Sequence, residues 1–76
     1  MSTFKSKTPE ELINDSRTNL SKVRLIYCMK FKNFIYLQPD KPNMSWMLEL
    51  TLEQYENDFG GRKIIDGSEI LEKYGK

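Results

Sequence analysis

The residue types that perform most chemistry at neutral pH are nearly absent from this chain of 76 residues. It contains no histidine and one cysteine, Cys28. Histidine is the commonest general base and metal ligand, so its absence excludes Ser-His-Asp and Cys-His catalytic arrangements. A structural zinc site is excluded because it requires four Cys or His ligands. We therefore expect no enzyme activity, no bound metal and no cofactor.

The remaining candidates for acid–base chemistry are carboxylates in the second half of the chain. Glu49, Glu53, Glu56 and Asp58 recur at short spacings. Paired carboxylates act as acid and base only where burial or mutual repulsion separates their pKa values. These residues fit the solvent-facing side of a predicted helix, so the spacing favours a charged surface over a catalytic pair.

A run that interleaves basic and aromatic residues over positions 30–37 is more typical of a binding site. Proteins that bind single-stranded nucleic acids stack bases on exposed aromatic side chains beside cationic groups. The alternative is that these aromatic residues form the core, which is the usual position of such side chains. The candidate binding residues are Lys30, Lys32, Phe34 and Tyr36 from this run, together with Arg24 earlier in the same predicted hairpin.

Part of the same run is similar to the RNP1 motif of RNA-recognition domains. Lys32, Phe34, Tyr36 and Leu37 fit that motif, whereas Asn33 replaces its glycine. An RNA-recognition domain also places a helix between its first two strands, but this sequence predicts two consecutive strands. The chain is therefore not assigned to that family.

The hydrophobic pattern predicts an α+β fold with a small antiparallel sheet of about three strands. Apolar residues alternate with a period of two over positions 23–31, and Phe34-Ile35-Tyr36-Leu37 follows a two-residue turn at Lys32-Asn33. We expect a hairpin over residues 22–37 and a third strand over residues 44–50, with residues 62–65 extended or in a further short strand.

Capping signals predict two or three short helices. Thr8 with Glu11 matches the box in which two side chains cap the first turn, and Thr51 with Gln54 repeats it. The predicted helices cover about residues 9–20, the segment from Thr51 to Gly60, and the segment from Asp66 to Gly75. We assign residues 1–7 to a flexible N-terminal segment and residues 8–76 to one domain.

The hairpin carries apolar residues on both of its predicted faces. A constant register about the turn puts Val23, Leu25, Tyr27, Met29, Phe31, Phe34 and Tyr36 on one face. The other face carries Arg24, Ile26, Cys28, Lys30, Ile35 and Leu37. Two outcomes remain open. The helices cover both faces, or part of one face stays available to a partner or a second copy.

Size and composition also favour a binding partner. A chain of this length buries only roughly 60% of its unfolded surface, and its single cysteine cannot form an internal disulfide. A homodimer or a protein partner would supply further buried area. Trp46 is a further candidate contact because tryptophan is enriched at interfaces, although a Trp that anchors the core is the alternative.

We therefore expect a small non-catalytic protein-binding module that acts as an inhibitor or adaptor. In general style the chain is similar to the small accessory proteins that bacteriophages make to bind host machinery, a likeness carried by no single motif. The alternative is a nucleic-acid-binding module that uses the hairpin around residues 24–36, because the first half of the chain is the more basic one. One cysteine and no signal peptide or membrane-spanning pattern predict a cytoplasmic protein.

Overall fold

The computed structural model, which describes residues 5–41 and 45–75, confirms the α+β class. The expected count of about three strands is wrong, since the described residues form five. The strands are β1 (Lys5–Lys7), β2 (Arg24–Phe31), β3 (Phe34–Pro39), β4 (Trp46–Thr51) and β5 (Ile64–Asp66). The helices are α1 (Pro9–Asn14), α2 (Leu52–Phe59) and α3 (Gly67–Tyr74), with 3-10 turns at Ser16–Thr18 and Leu20–Lys22.

The sheet has the strand order β1-β4-β3-β2-β5. The predicted hairpin forms β2 and β3, and the predicted third strand forms β4, while residue 44 of that prediction lies outside the described residues. The two additional strands are the short edges. β5 is antiparallel to β2, and β1 is parallel to β4, which brings residues 5–7 of the predicted flexible segment into the sheet.

A β-bulge divides the hairpin into two registers. Near the turn Phe31 lies opposite Phe34 and Met29 lies opposite Tyr36, as the constant register predicts. The register shifts between Tyr27 and Met29, so the predicted faces are wrong beyond that point. One extra residue on a bulged strand exchanges the faces of all that follow. The bulge therefore separates Tyr27 from Met29, which the sequence pattern placed on one face.

The core lies between one face of the sheet and the helices. All three helices contribute to it, α1 through Leu12, α2 through Tyr55 and Phe59, and α3 through Ile70. Its sheet side is formed by Leu25, Ile35, Leu37, Trp46, Leu48, Leu50 and Ile65. At about 25 cal/mol for each Å² removed from water, this buried apolar layer is the main stabilising contribution to the fold.

The first helix is shorter than predicted because its C-terminal segment folds into polar turns. Both capping boxes are present, at Thr8 with Glu11 and at Thr51 with Gln54. After α1 ends, the Asp15 carboxylate accepts a hydrogen bond from the Arg17 main-chain N–H, which starts a 3-10 turn. A side chain that bonds the backbone in this way competes with continuation of the helix.

Candidate interaction surface

The described helices leave large apolar side chains exposed on the face of the sheet opposite the core, and residues of all three helices border its Phe34 end. Four large apolar side chains on it are solvent-exposed, with exposed fractions of 45% for Met29, 56% for Phe31, 36% for Phe34 and 56% for Ile64. Ile26 and Tyr36 lie among them and are partly buried. We call these six residues the open-face patch: Ile26, Met29, Phe31, Phe34, Tyr36 and Ile64.

Strand pairing makes the patch continuous across three strands. Ile64 of β5 lies opposite Ile26 of β2. Two further cross-strand pairs, Met29 with Tyr36 and Phe31 with Phe34, join β2 to β3. Directly opposed side chains lie close enough to pack against each other. The pair of Ile26 with Ile64 and the pairs nearer the turn lie on either side of the bulge, and Ile26 and Met29 are successive residues on the open face of β2. The patch therefore extends along this face of β2 and across to both neighbouring strands.

The predicted binding residues are only partly brought together. Phe34 and Tyr36 belong to the patch, and Arg24 lies at its edge, with its Nε 3.7 Å from a carboxylate oxygen of Asp66. Lys30 lies opposite Ile35, so its exposed side chain is on the helix side of the sheet. Trp46 is only 8% exposed and belongs to the core.

Lys32 occupies the hairpin turn, where its backbone has a φ of 57°. Left-handed φ values are unusual for a lysine, and a two-residue hairpin turn is one of the few places that require them. Its Nζ lies 5.4 Å from the centroid of the Phe31 ring. The turn thus holds a cation at one end of the patch.

Sequence reasoning missed Ile26 and Ile64. Ile26 was assigned to the opposite face because the bulge has no sequence signal. Ile64 was not considered because its strand has only three residues, which is too short for an alternating pattern to be recognised. The adjacent pair Ile64-Ile65 is a weak signal that could have been used, since consecutive strand residues point to opposite faces. The side chain of one isoleucine in such a pair must therefore lie on the face of the sheet away from the core.

The polar groups on the open face nearly balance in charge. Arg24 is paired with Asp66, and Glu49 lies directly opposite Tyr36. Partial burial raises the pKa of Tyr36 above its ordinary value, and the negative charge of Glu49 raises it further. A surface of this kind lacks the row of cations that follows a phosphate backbone.

A decline in stability at alkaline pH is the expected consequence of three tyrosines with raised pKa values. Burial raises the pKa of Tyr74, which also donates a hydrogen bond to the Asp58 carboxylate, and burial raises the pKa of Tyr36 and Tyr55. The unfolded chain loses these protons near the ordinary pKa of 10.0, before the folded protein does. The free energy of unfolding should therefore fall as pH rises above 10, as urea unfolding can measure.

Tyr74→Phe is the matched variant for that measurement. The variant differs from the wild type by one hydroxyl group, so the difference in slope isolates the titration of Tyr74. The variant should show a shallower alkaline decline, and identical slopes would contradict the pKa assignment.

Residues 5–41 and 45–75 contain no group of three or more His, Cys, Asp or Glu side chains that could hold a metal ion. None of the helices in these residues has the length and hydrophobicity of a membrane-spanning segment. No protein-family model matches the chain, and comparisons with curated proteins and with solved structures find no match.

Proposed function

We propose that this protein is a non-catalytic protein-binding module and that the open-face patch is its contact surface. The observation that carries the proposal is the continuity of six apolar residues across three strands on a face where the described helices leave large apolar side chains exposed. Contiguous exposed apolar patches on small proteins commonly mark interaction sites. Aromatic and methionine side chains are also enriched at protein interfaces.

A protein partner fits this surface better than a nucleic acid. Tight nucleic-acid binding depends on cations that neutralise phosphates, and stacking on aromatic side chains is the complementary contribution. The patch supplies three aromatic rings and Lys32 lies at one end of it, but Arg24 is paired with Asp66 and Glu49 adds a negative charge. The protein would act as an inhibitor or adaptor by covering its partner's surface, and we place this activity in the cytoplasm.

The test is capture of partners from a lysate of the source cells with the wild type and two variants. Phe31→Asp puts a negative charge at an exposed position of the patch. Asn14→Asp puts the same charge at an exposed position of α1, away from the patch. Phe31→Asp should weaken the interaction about tenfold or more, because a buried charge disrupts an apolar contact. Asn14→Asp should bind like the wild type.

Nuclease treatment of the lysate separates the two partner classes. Capture should survive nuclease, and labelled oligonucleotides should show no tight binding by fluorescence anisotropy at physiological salt. Capture that nuclease abolishes, together with oligonucleotide binding that falls steeply with salt, would instead assign the hairpin to nucleic-acid binding. Equal binding by Phe31→Asp and the wild type would show that the contact surface lies elsewhere.

A further inference from the structure

The outer edge of β2 is only partly covered by its neighbour. β5 pairs with the first part of β2, Arg24–Ile26, and the Tyr27 N–H donates to the Lys63 carbonyl at 2.8 Å. Beyond that point no other described strand lies beside β2 on this side, as the strand order shows. The segment from Cys28 to Phe31 is exposed at every residue. We call these four residues the free edge.

The hairpin geometry directs main-chain groups of the free edge outward. In a hairpin closed by a two-residue turn, the residues that flank the turn, here Phe31 and Phe34, bond to each other. Hydrogen-bonded and non-bonded pairs then alternate along the strands. The next pair, Lys30 with Ile35, is therefore a non-bonded pair. The N–H and C=O of Lys30 consequently point away from β3, where an additional strand could bond to them.

Side chains around the free edge give it an apolar side and a cationic side. Met29 and Phe31 belong to the open-face patch, and Lys30 projects to the opposite side. Lys32 adjoins one end of the edge, and Lys63 adjoins the other, with its Nζ 5.3 Å from the centroid of the Tyr27 ring.

None of these three lysines forms an ion pair with a carboxylate among the described residues, whose salt bridges all involve other cations. Glu53 and Glu56 of α2 line a groove beside Asn33 without pairing to them. The free edge therefore has a local excess of unpaired positive charge.

We propose, building on the protein-binding function above, that the free edge takes an extended acidic segment of the partner as a sixth strand. Main-chain hydrogen bonds to Lys30 would provide affinity, as in other cases of strand addition to a sheet edge. Alternate side chains of the segment would lie on the two sides of the sheet. Apolar ones would extend the open-face patch, and acidic ones would face Lys30 and Lys63.

The positive charge of the free edge favours an acidic partner over a second copy of this chain. Two-fold pairing of two free edges would bring Lys30 close to its own copy, and like charges opposed across a strand pair are destabilising. Lysine on an edge strand is also a common means by which proteins avoid pairing with themselves. The homodimer that the small size of the chain left open beside a protein partner becomes one outcome of the test.

The test titrates the isotope-labelled full chain with two capped hexapeptides, one alternating Glu and Val and the other alternating Lys and Val. The Glu-Val peptide should shift the amide signals of Cys28, Met29, Lys30 and Phe31 and slow deuterium exchange at the Lys30 amide. The Lys-Val peptide should bind at least about tenfold more weakly, because it meets like charges.

Two substitutions at one position separate the main-chain contribution from the charge. Lys30→Gln keeps the N–H and removes the charge, which should weaken binding about threefold, the size of an exposed ion pair. Lys30→Pro also removes the N–H, which should weaken binding by about a further fivefold, the size of one hydrogen bond. Proline is tolerated on an edge where its nitrogen faces solvent. If Lys30→Pro does not fold, slowed exchange of the Lys30 amide in the wild type gives the same information.

The possible results distinguish this inference from the proposed function. Equal binding of the two peptides, or signal shifts outside the free edge, would overturn strand addition. Sedimentation under reducing conditions that shows a dimer, lost in Lys30→Pro, would assign the free edge to a second copy. If the Glu-Val peptide fails while Ile64→Ala, which changes no residue of the free edge, still weakens partner capture, the open-face patch stands as the contact surface and strand addition is wrong.

Discussion

A Gly67→Ala variant should lose about 3 kcal/mol of unfolding free energy, which is most of the stability of a domain this small. A Cβ at Gly67 would lie 1.8 Å from the carbonyl oxygen of Leu20 and 3.0 Å from that of Val23. Both are main-chain atoms that cannot rotate away. The Gly67 N–H also donates to the Val23 carbonyl at 2.9 Å, so moving the backbone apart would break that bond. Urea unfolding, followed by tryptophan fluorescence, measures the loss.

Gly60→Ala is the matched control, because it tests a glycine without a close neighbour. Gly60 has a φ of 60°, and a Cβ there would meet nothing within 4 Å. Gly60→Ala should lose only about 1 kcal/mol of unfolding free energy, because a residue with a Cβ is strained at left-handed backbone angles. Equal losses in the two variants would show that the close approach at Gly67 does not limit stability.

The contact at Gly67 also matters for the interaction surface. Gly67 is the first residue of α3 and follows directly after β5, while Val23 directly precedes β2. Their approach fixes β5 against β2, and this strand pair carries Ile64 and Ile26 of the open-face patch. We therefore expect Gly67→Ala to disturb binding as well as folding.

Local signals account for the parts of the fold that the sequence predicts. The capping boxes at Thr8 and Thr51 involve residues three positions apart, so their geometry needs no tertiary contact. The turn at Lys32-Asn33 similarly sets the register nearest to it. These elements are predictable because the interactions that form them are short-range.

The faces of the sheet could not be predicted in the same way. Residues on both sides of β2 are apolar, so either assignment satisfies the alternating pattern, and tertiary packing decides where the bulge falls. β1 has the sequence Lys-Ser-Lys, which carries no strand signal, and its partner β4 is distant along the chain. Pairing of this kind depends on the assembled sheet rather than on the segment itself.

The candidate site was predictable to the extent that it lies close to the turn. Phe34 and Tyr36 were identified there and belong to the patch. Trp46 was proposed from residue type alone, and its burial places it in the core, which was the alternative interpretation. Residue type indicates what a side chain could contact, but only the packing of the helices determines which face remains available.

The two adjacent isoleucines of β5 should respond in opposite ways to substitution by alanine. Ile65 is completely buried and lies opposite Leu25, whereas Ile64 is 56% exposed and lies opposite Ile26. Ile65→Ala should lose about 3 kcal/mol of unfolding free energy, because it leaves a cavity in the core. Ile64→Ala should change it by less than about 0.5 kcal/mol, as expected for an exposed position. Urea unfolding of the two variants measures both values.

Partner binding should be affected in the reverse order, more by Ile64→Ala than by Ile65→Ala. Ile64→Ala removes apolar area from the open-face patch and should weaken capture about tenfold, the effect of a moderate interface contact. Ile65→Ala, measured where it is still folded, should bind like the wild type because its side chain does not reach the open face. Comparable losses of stability in the two variants would mean that both faces of the sheet are covered. Since the two residues are identical in type and adjacent in one strand, any difference between them must come from the face each one occupies.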